Sequence, residues 1–170
     1  IGTTTPAARL DILGPNTTAV TGSEMIIATA DRDFSSATGK WTGTNWSIGS
    51  GVATHAVGGG VTTDVFTLDN TALTAAPVAG RAYQVTFTVN TTAIDATYGT
   101  GVAASIGNVY GTAVGSSVGS ATYTQVIGAA DTNPLTFTAN SLVGSGWQGS
   151  IDNVSVKEVT VSNSNAVVIV

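Results

Sequence analysis

The chain has 170 residues, enough for one domain with its own core, and no cysteine, which removes disulfides, thiolate metal sites and cysteine nucleophiles. Charged residues make up only 9 %, against about a quarter in an ordinary soluble domain, and the net charge is −5. Its five basic residues are scattered, whereas a nucleic-acid backbone needs them clustered, and no run of about 18 apolar residues is present to span a membrane.

Residues 1–29 read as a linking segment: a Pro-broken start is followed by one short alternation of Ala8, Leu10 and Ile12. Beyond it helix formers are scarce, while Thr and Val abound, β-branched and stiff at χ1. Twenty-one glycines punctuate the chain at turn-like intervals, and the spacing predicts an all-β domain. Trp41 follows Gly39 and Lys40 in a loop-like stretch and is expected to be exposed. Trp46 opens a strand at 46–48 and is expected in the core. A strand at 52–57 carries His55, and Gly58, Gly59 and Gly60 form a hairpin turn.

The segment 61–68 places Asp64, Phe66 and Leu68 on one face and Val61, Thr63, Val65 and Thr67 on the other; neither face is wholly polar, so burial on both sides or a bulge is expected. The clearest strand is 81–89, where Tyr83, Val85, Phe87 and Val89 alternate with Gln84, Thr86 and Thr88, the period of a sheet with one buried face. Tyr83, Val85 and Phe87 are expected to point into a two-sheet interior, opposite the strand at 151–156. Further strands are predicted at 102–106 and 122–127. Leu135, Phe137 and Ala139 alternate with Thr136 and Thr138. Strand starts about ten to fifteen residues apart fit a sandwich or barrel and not βαβ units. Residues 159–170 end in Ala166-Val167-Val168-Ile169-Val170. Such a run would aggregate if solvated, so it is expected to pair as a strand, in its own chain or a neighbour's.

Three phrases carry a resemblance. Residues 33–56 read DFSSATGKWTGTNWSIGSGVATHA, residues 79–89 read AGRAYQVTFTV, and residues 149–159 read GSIDNVSVKEV. In that order and spacing they resemble the jelly-roll carbohydrate-binding modules of families four and nine, in the variety found in phage tail, fibre and capsid-associated proteins. The resemblance covers residues 30–158 and implies a galactose-binding-like jelly-roll β-sandwich there. Residues 1–12, IGTTTPAARLDI, are similar to a phrase of phage tail fibres and trimeric adhesins that belongs to an intertwined shaft. That implies a shaft-like segment over 1–29, a homotrimer, and other virion proteins as partners in a virion or extracellular setting.

Sugar binding needs aromatic faces for the apolar C–H patches of a pyranose. Trp41, Trp147, Tyr98 and Tyr110 are the candidate platforms, each with core packing or loop anchoring as the alternative. The resemblance also implies a structural Ca2+ near Asp152, with Asp31 and Asp33 as further ligands, since calcium takes six to eight hard oxygens. The family's acidic residue after Phe is missing, because Ser35 follows Phe34. The alternative for Asp152 and Asn153 is to cap a bulge.

For catalysis the inventory is thin. His55 is the only histidine, and no spacing selects a carboxylate pair to accompany it. The expected function is therefore not enzymatic: a virion structural or adhesion domain that builds an assembly and contacts host-surface glycans. The alternative is a glycan-binding module of a secreted polysaccharide-degrading enzyme.

Overall fold

Every second residue of one long strand faces inward, and the rest of the molecule is arranged around that strand. The structure, a computed structural model, describes residues 17–56, 62–94, 101–142 and 145–163. Its strands are β1 (Thr17–Glu24), β2 (Trp41–Gly43), β3 (Trp46–Gly49), β4 (Val52–His55), β5 (Thr62–Leu68), β6 (Ala82–Ile94), β7 (Val102–Ile106), β8 (Val109–Tyr110), β9 (Gly119–Gly128), β10 (Thr136–Leu142) and β11 (Ser145–Asn163). One helical turn, α1 (Ala30–Asp33), and a 3-10 turn (Asn70–Ala72) complete the described elements.

All pairings are antiparallel and form two sheets. The first runs β3-β4-β11-β6-β9, and β1 takes the β4 edge of β11 further along, because β6 holds the other edge as far as Val159. The second runs β2-β5-β10-β7-β8. The sheets join where β10 turns into β11, with Leu142 opposite Ser145. From β2 onward the chain alternates between sheets, with β3–β4 and β7–β8 each remaining in one. The architecture is an all-β sandwich, as expected.

The predicted alternation is present. Tyr83, Val85, Phe87 and Val89 on β6 are buried, as are Leu135, Phe137 and Ala139 at β10. Burying each large apolar side chain contributes about 1.5–3 kcal/mol, so this double face is the main source of stability. On β5 the Asp64, Phe66 and Leu68 face is buried, but the expected burial of both sides or a bulge is not found: Thr63 and Val65 lie on the outer face, Val65 38 % exposed, and the pairing with β10 keeps its register. A second expectation needs correcting. β11 does not lie opposite β6 but beside it, with Val156 paired to Val85 and Ile151 to Val89. Across the interior β6 meets β10 instead, and the Phe87 and Phe137 rings pack edge to face at 5.0 Å.

Between Asp152 and Ser155 the register with β6 slips by one residue, and Asn153 adopts φ 53°. The Asp152 carboxylate accepts from Asn153 N at 2.6 Å and from its Nδ2 at 2.9 Å, holding the turned backbone. This bulge lets Ile151, Val154 and Val156 all face inward, which strict alternation forbids. The core also begins before residue 30, since Met25 and Ile26 are buried.

β11 has 19 residues and spans roughly 60 Å at about 3.3 Å per residue. From Thr160 to Asn163 it pairs with β1, through Thr17 to Val20, past the last pair with β6 at Val159. Among the described residues, β1 and the end of β11 therefore continue as a ribbon beyond the last pair with β6. The expected strand over 159–170 begins as the continuation of β11; residues 164–170, the segment 1–16 and the glycine turn at 58–60 lie outside the described residues.

Candidate functional site

Two of the expected sugar platforms are core residues. Trp41 is 5 % exposed and Trp147 is 0 % exposed, so neither presents a face to a pyranose. Trp41 is not in a loop. β2 adds to the edge of β5 with Trp41 opposite Leu68, and the indole turns inward to stack on Phe66 at 4.7 Å. Its Nε1–H donates to the carbonyl of Asp31 at 2.9 Å. Trp147 donates from Nε1 to Thr91 Oγ1 at 2.9 Å, and that hydroxyl donates to the carbonyl of Gly115 at 2.9 Å. A buried indole with its one donor satisfied is anchored by packing. Trp46, expected in the core, is only partly buried and stacks on Phe66 at 4.9 Å.

Tyr110 is the platform left open. It is 60 % exposed at the end of β8 and lines a shallow groove with Thr112, Gln125 and Val126. Gln125 Nε2 donates to the Thr112 carbonyl at 2.7 Å, tying the two walls together. Tyr98 lies outside the described residues.

His55 sits in a buried polar cluster that the sequence did not reveal. Alternation on β4 turns it inward, and alternation on β5 turns Asp64 toward it from the other sheet. His55 Nδ1 donates to the Trp147 carbonyl at 2.8 Å, and Nε2 shares a hydrogen with Asp64 Oδ2 at 3.0 Å. The same oxygen accepts from Asn45 Nδ2 at 3.0 Å, and the imidazole lies over Trp147 with ring centres 5.7 Å apart. Both ring nitrogens are committed in a residue 1 % exposed, so His55 has no free nitrogen to offer a substrate.

The expected calcium ligands do not come together. Asp31 is buried and accepts from the Thr38 hydroxyl; Asp33 accepts from Ser35 N at 3.0 Å; Asp152 is engaged with Asn153. Among the described residues no group of three or more His, Cys, Asp or Glu side chains is placed to hold a metal ion. Asp33 instead lines a pocket of about 420 Å³ between α1 and the β11 bulge, together with Glu24, Thr29, Arg32, Asn153 and Lys157. Hydrogen bonds from Ser35 hold the Asp33 carboxyl below its ordinary 3.8. Arg32, Lys157 and Glu24 were not singled out by sequence reasoning, because no local pattern joins positions 24, 32 and 157.

The described fold is thus a two-sheet antiparallel sandwich with a buried His–Asp cluster, one aromatic groove and one mixed-charge pocket. Compared with known proteins, the chain matches no family model, no curated protein and no solved structure.

Proposed function

We propose that this chain is a non-enzymatic structural or adhesion domain of a virion, on a fibre or capsid decoration: a jelly-roll head of carbohydrate-binding-module type that builds a homotrimeric assembly and contacts host-surface glycans. The observation that carries the reading is the ribbon of β1 and the end of β11, which continues beyond the sandwich. A ribbon of strands running beyond a sandwich gains stability from further pairing, and neighbouring chains are one source of it. The alternation of successive strands between sheets supports a jelly roll, and the hydroxyl-rich, charge-poor composition suits a packed assembly. Sedimentation of the 170-residue chain at micromolar concentration tests this: a trimer is expected, and a clean monomer rejects the assembly.

The exposed Tyr110 beside Gln125 and Thr112 favours a second reading, a glycan-binding module of a secreted polysaccharide-degrading enzyme. It predicts binding to a soluble plant or cell-wall glycan that Tyr110→Ala removes. A flat glycan array rejects it.

A further inference from the structure

The pocket between α1 and the β11 bulge contains two cations and two carboxylates, and the two signs are not equally satisfied. The Glu24 carboxylate accepts from Ile26 N and Val156 N, each at 3.0 Å, and from the Ser155 hydroxyl at 2.5 Å. Asp33 accepts from Ser35 N at 3.0 Å. The cations are poorly supplied by comparison. Among the described residues the Arg32 guanidinium makes one hydrogen bond, from Nη2 to Thr29 Oγ1 at 2.9 Å. No ion pair joins Arg32 or Lys157 to a carboxylate among the described residues. Both cations line the pocket without a bonded carboxylate among those residues, so an oxygen anion entering it meets two positive groups.

We infer that this pocket takes a monosaccharide-sized ligand carrying a carboxylate, an acidic sugar, with the anion held between Arg32 and Lys157. A guanidinium matches a carboxylate in plane through two N–H groups, and the ammonium adds a point charge beside it. Beyond their bonds to Asp152 and Arg32, the Asn153 Oδ1, the Thr29 hydroxyl hydrogen and the outer lone pairs of Asp33 remain to pair with ring hydroxyls. The pocket volume of about 420 Å³ falls within the range of small-ligand sites. The same two cations make the pocket unsuited to a divalent metal, although it borders the position where calcium was expected. This inference rests on the glycan-contact part of the proposed function only for the ligand being a sugar; it uses none of the Tyr110 groove.

The test is calorimetric titration of the full 170-residue chain with glucuronate and galacturonate, beside glucose, galactose and acetate. The uronates are expected to bind, more weakly as salt rises, and the neutral sugars are not. Arg32→Gln and Lys157→Gln should each weaken uronate binding on the order of tenfold or more, with Arg81→Gln unchanged. Lys157→Gln alone decides the matter if the Arg32 variant does not fold. Uronates that bind no tighter than their neutral parents overturn the inference. So does acetate that binds as well as a uronate, or binding lost in Tyr110→Ala but kept in both cation variants. Silent uronates together with a trimeric sedimentation mass reject this pocket and leave the assembly standing.

Discussion

His55 on β4 and Asp64 on β5 meet across the two sheets, Nε2 to Oδ2 at 3.0 Å, with both side chains buried. The pair fixes how the first sheet sits over the second, because each residue is useless to the core without the other. Truncating one partner leaves the other buried without its counterpart. Asp64→Ala should lower the unfolding free energy by about 3 kcal/mol, and the double variant with His55→Ala should cost well under the sum of the singles. Urea denaturation of the four proteins measures this; additive losses would show that the two side chains do not act as a unit.

The three described aromatic candidates should separate by role. Trp41→Ala and Trp147→Ala should each destabilise by about 3–5 kcal/mol through lost core volume. Tyr110→Ala should stay within about 0.5 kcal/mol of the parent, as surface changes do. Thermal or urea unfolding compared with glycan binding distinguishes packing from contact. A Trp147 variant that keeps its stability while losing a ligand would contradict the buried placement.

Gly149 pairs with Thr91 on β6 and with His55 on β4, and the backbone approaches it closely. A Cβ there would lie 2.3 Å from the Asn90 carbonyl oxygen and 2.7 Å from Trp147 Cζ2. Backbone oxygen cannot move aside like a flexible side chain. Gly149→Ala is expected to cost about 1–3 kcal/mol in a denaturant titration. Gly49, where an added Cβ would meet nothing within 4 Å, is the control, and Gly49→Ala should be close to neutral.

Asp69 caps the 3-10 turn by accepting from Thr71 N at 2.7 Å, and that bond holds its carboxyl below the ordinary 3.8. A depressed carboxyl contributes stability above the unfolded value and loses it as pH falls through the folded value. Asp69→Asn should therefore melt below the parent at pH 6 and approach it near pH 2.5. A melting difference that is the same at both pH values would remove the charge from the explanation.

Much of the frame was legible in the sequence. Residues 83, 85, 87 and 89 alternate so regularly that one face of β6 had to be buried, whereas on β5 the apolar Val65 hid which face of the strand turns inward. Such patterns are local, because a strand's own period decides which side chains share a face. The bulge at Asp152 and Asn153 was also readable, since short polar side chains that bond their own backbone favour a turned conformation there.

What lay beyond the sequence depends on which strands become neighbours. Trp41 looked exposed because a three-residue strand has too little pattern to show a face; only its pairing with β5 turned the indole inward. For Trp147 the sequence left sugar contact and core packing both open, and only Thr91 and His55 from other strands place it in the core. The His55–Asp64 contact, and the gathering of Glu24, Arg32 and Lys157 around one pocket, join positions with no shared period. Periodicity along the chain set the all-β character and the inward faces; sheet order and the bulge, which are long-range pairings, decided which side chains meet and which face water.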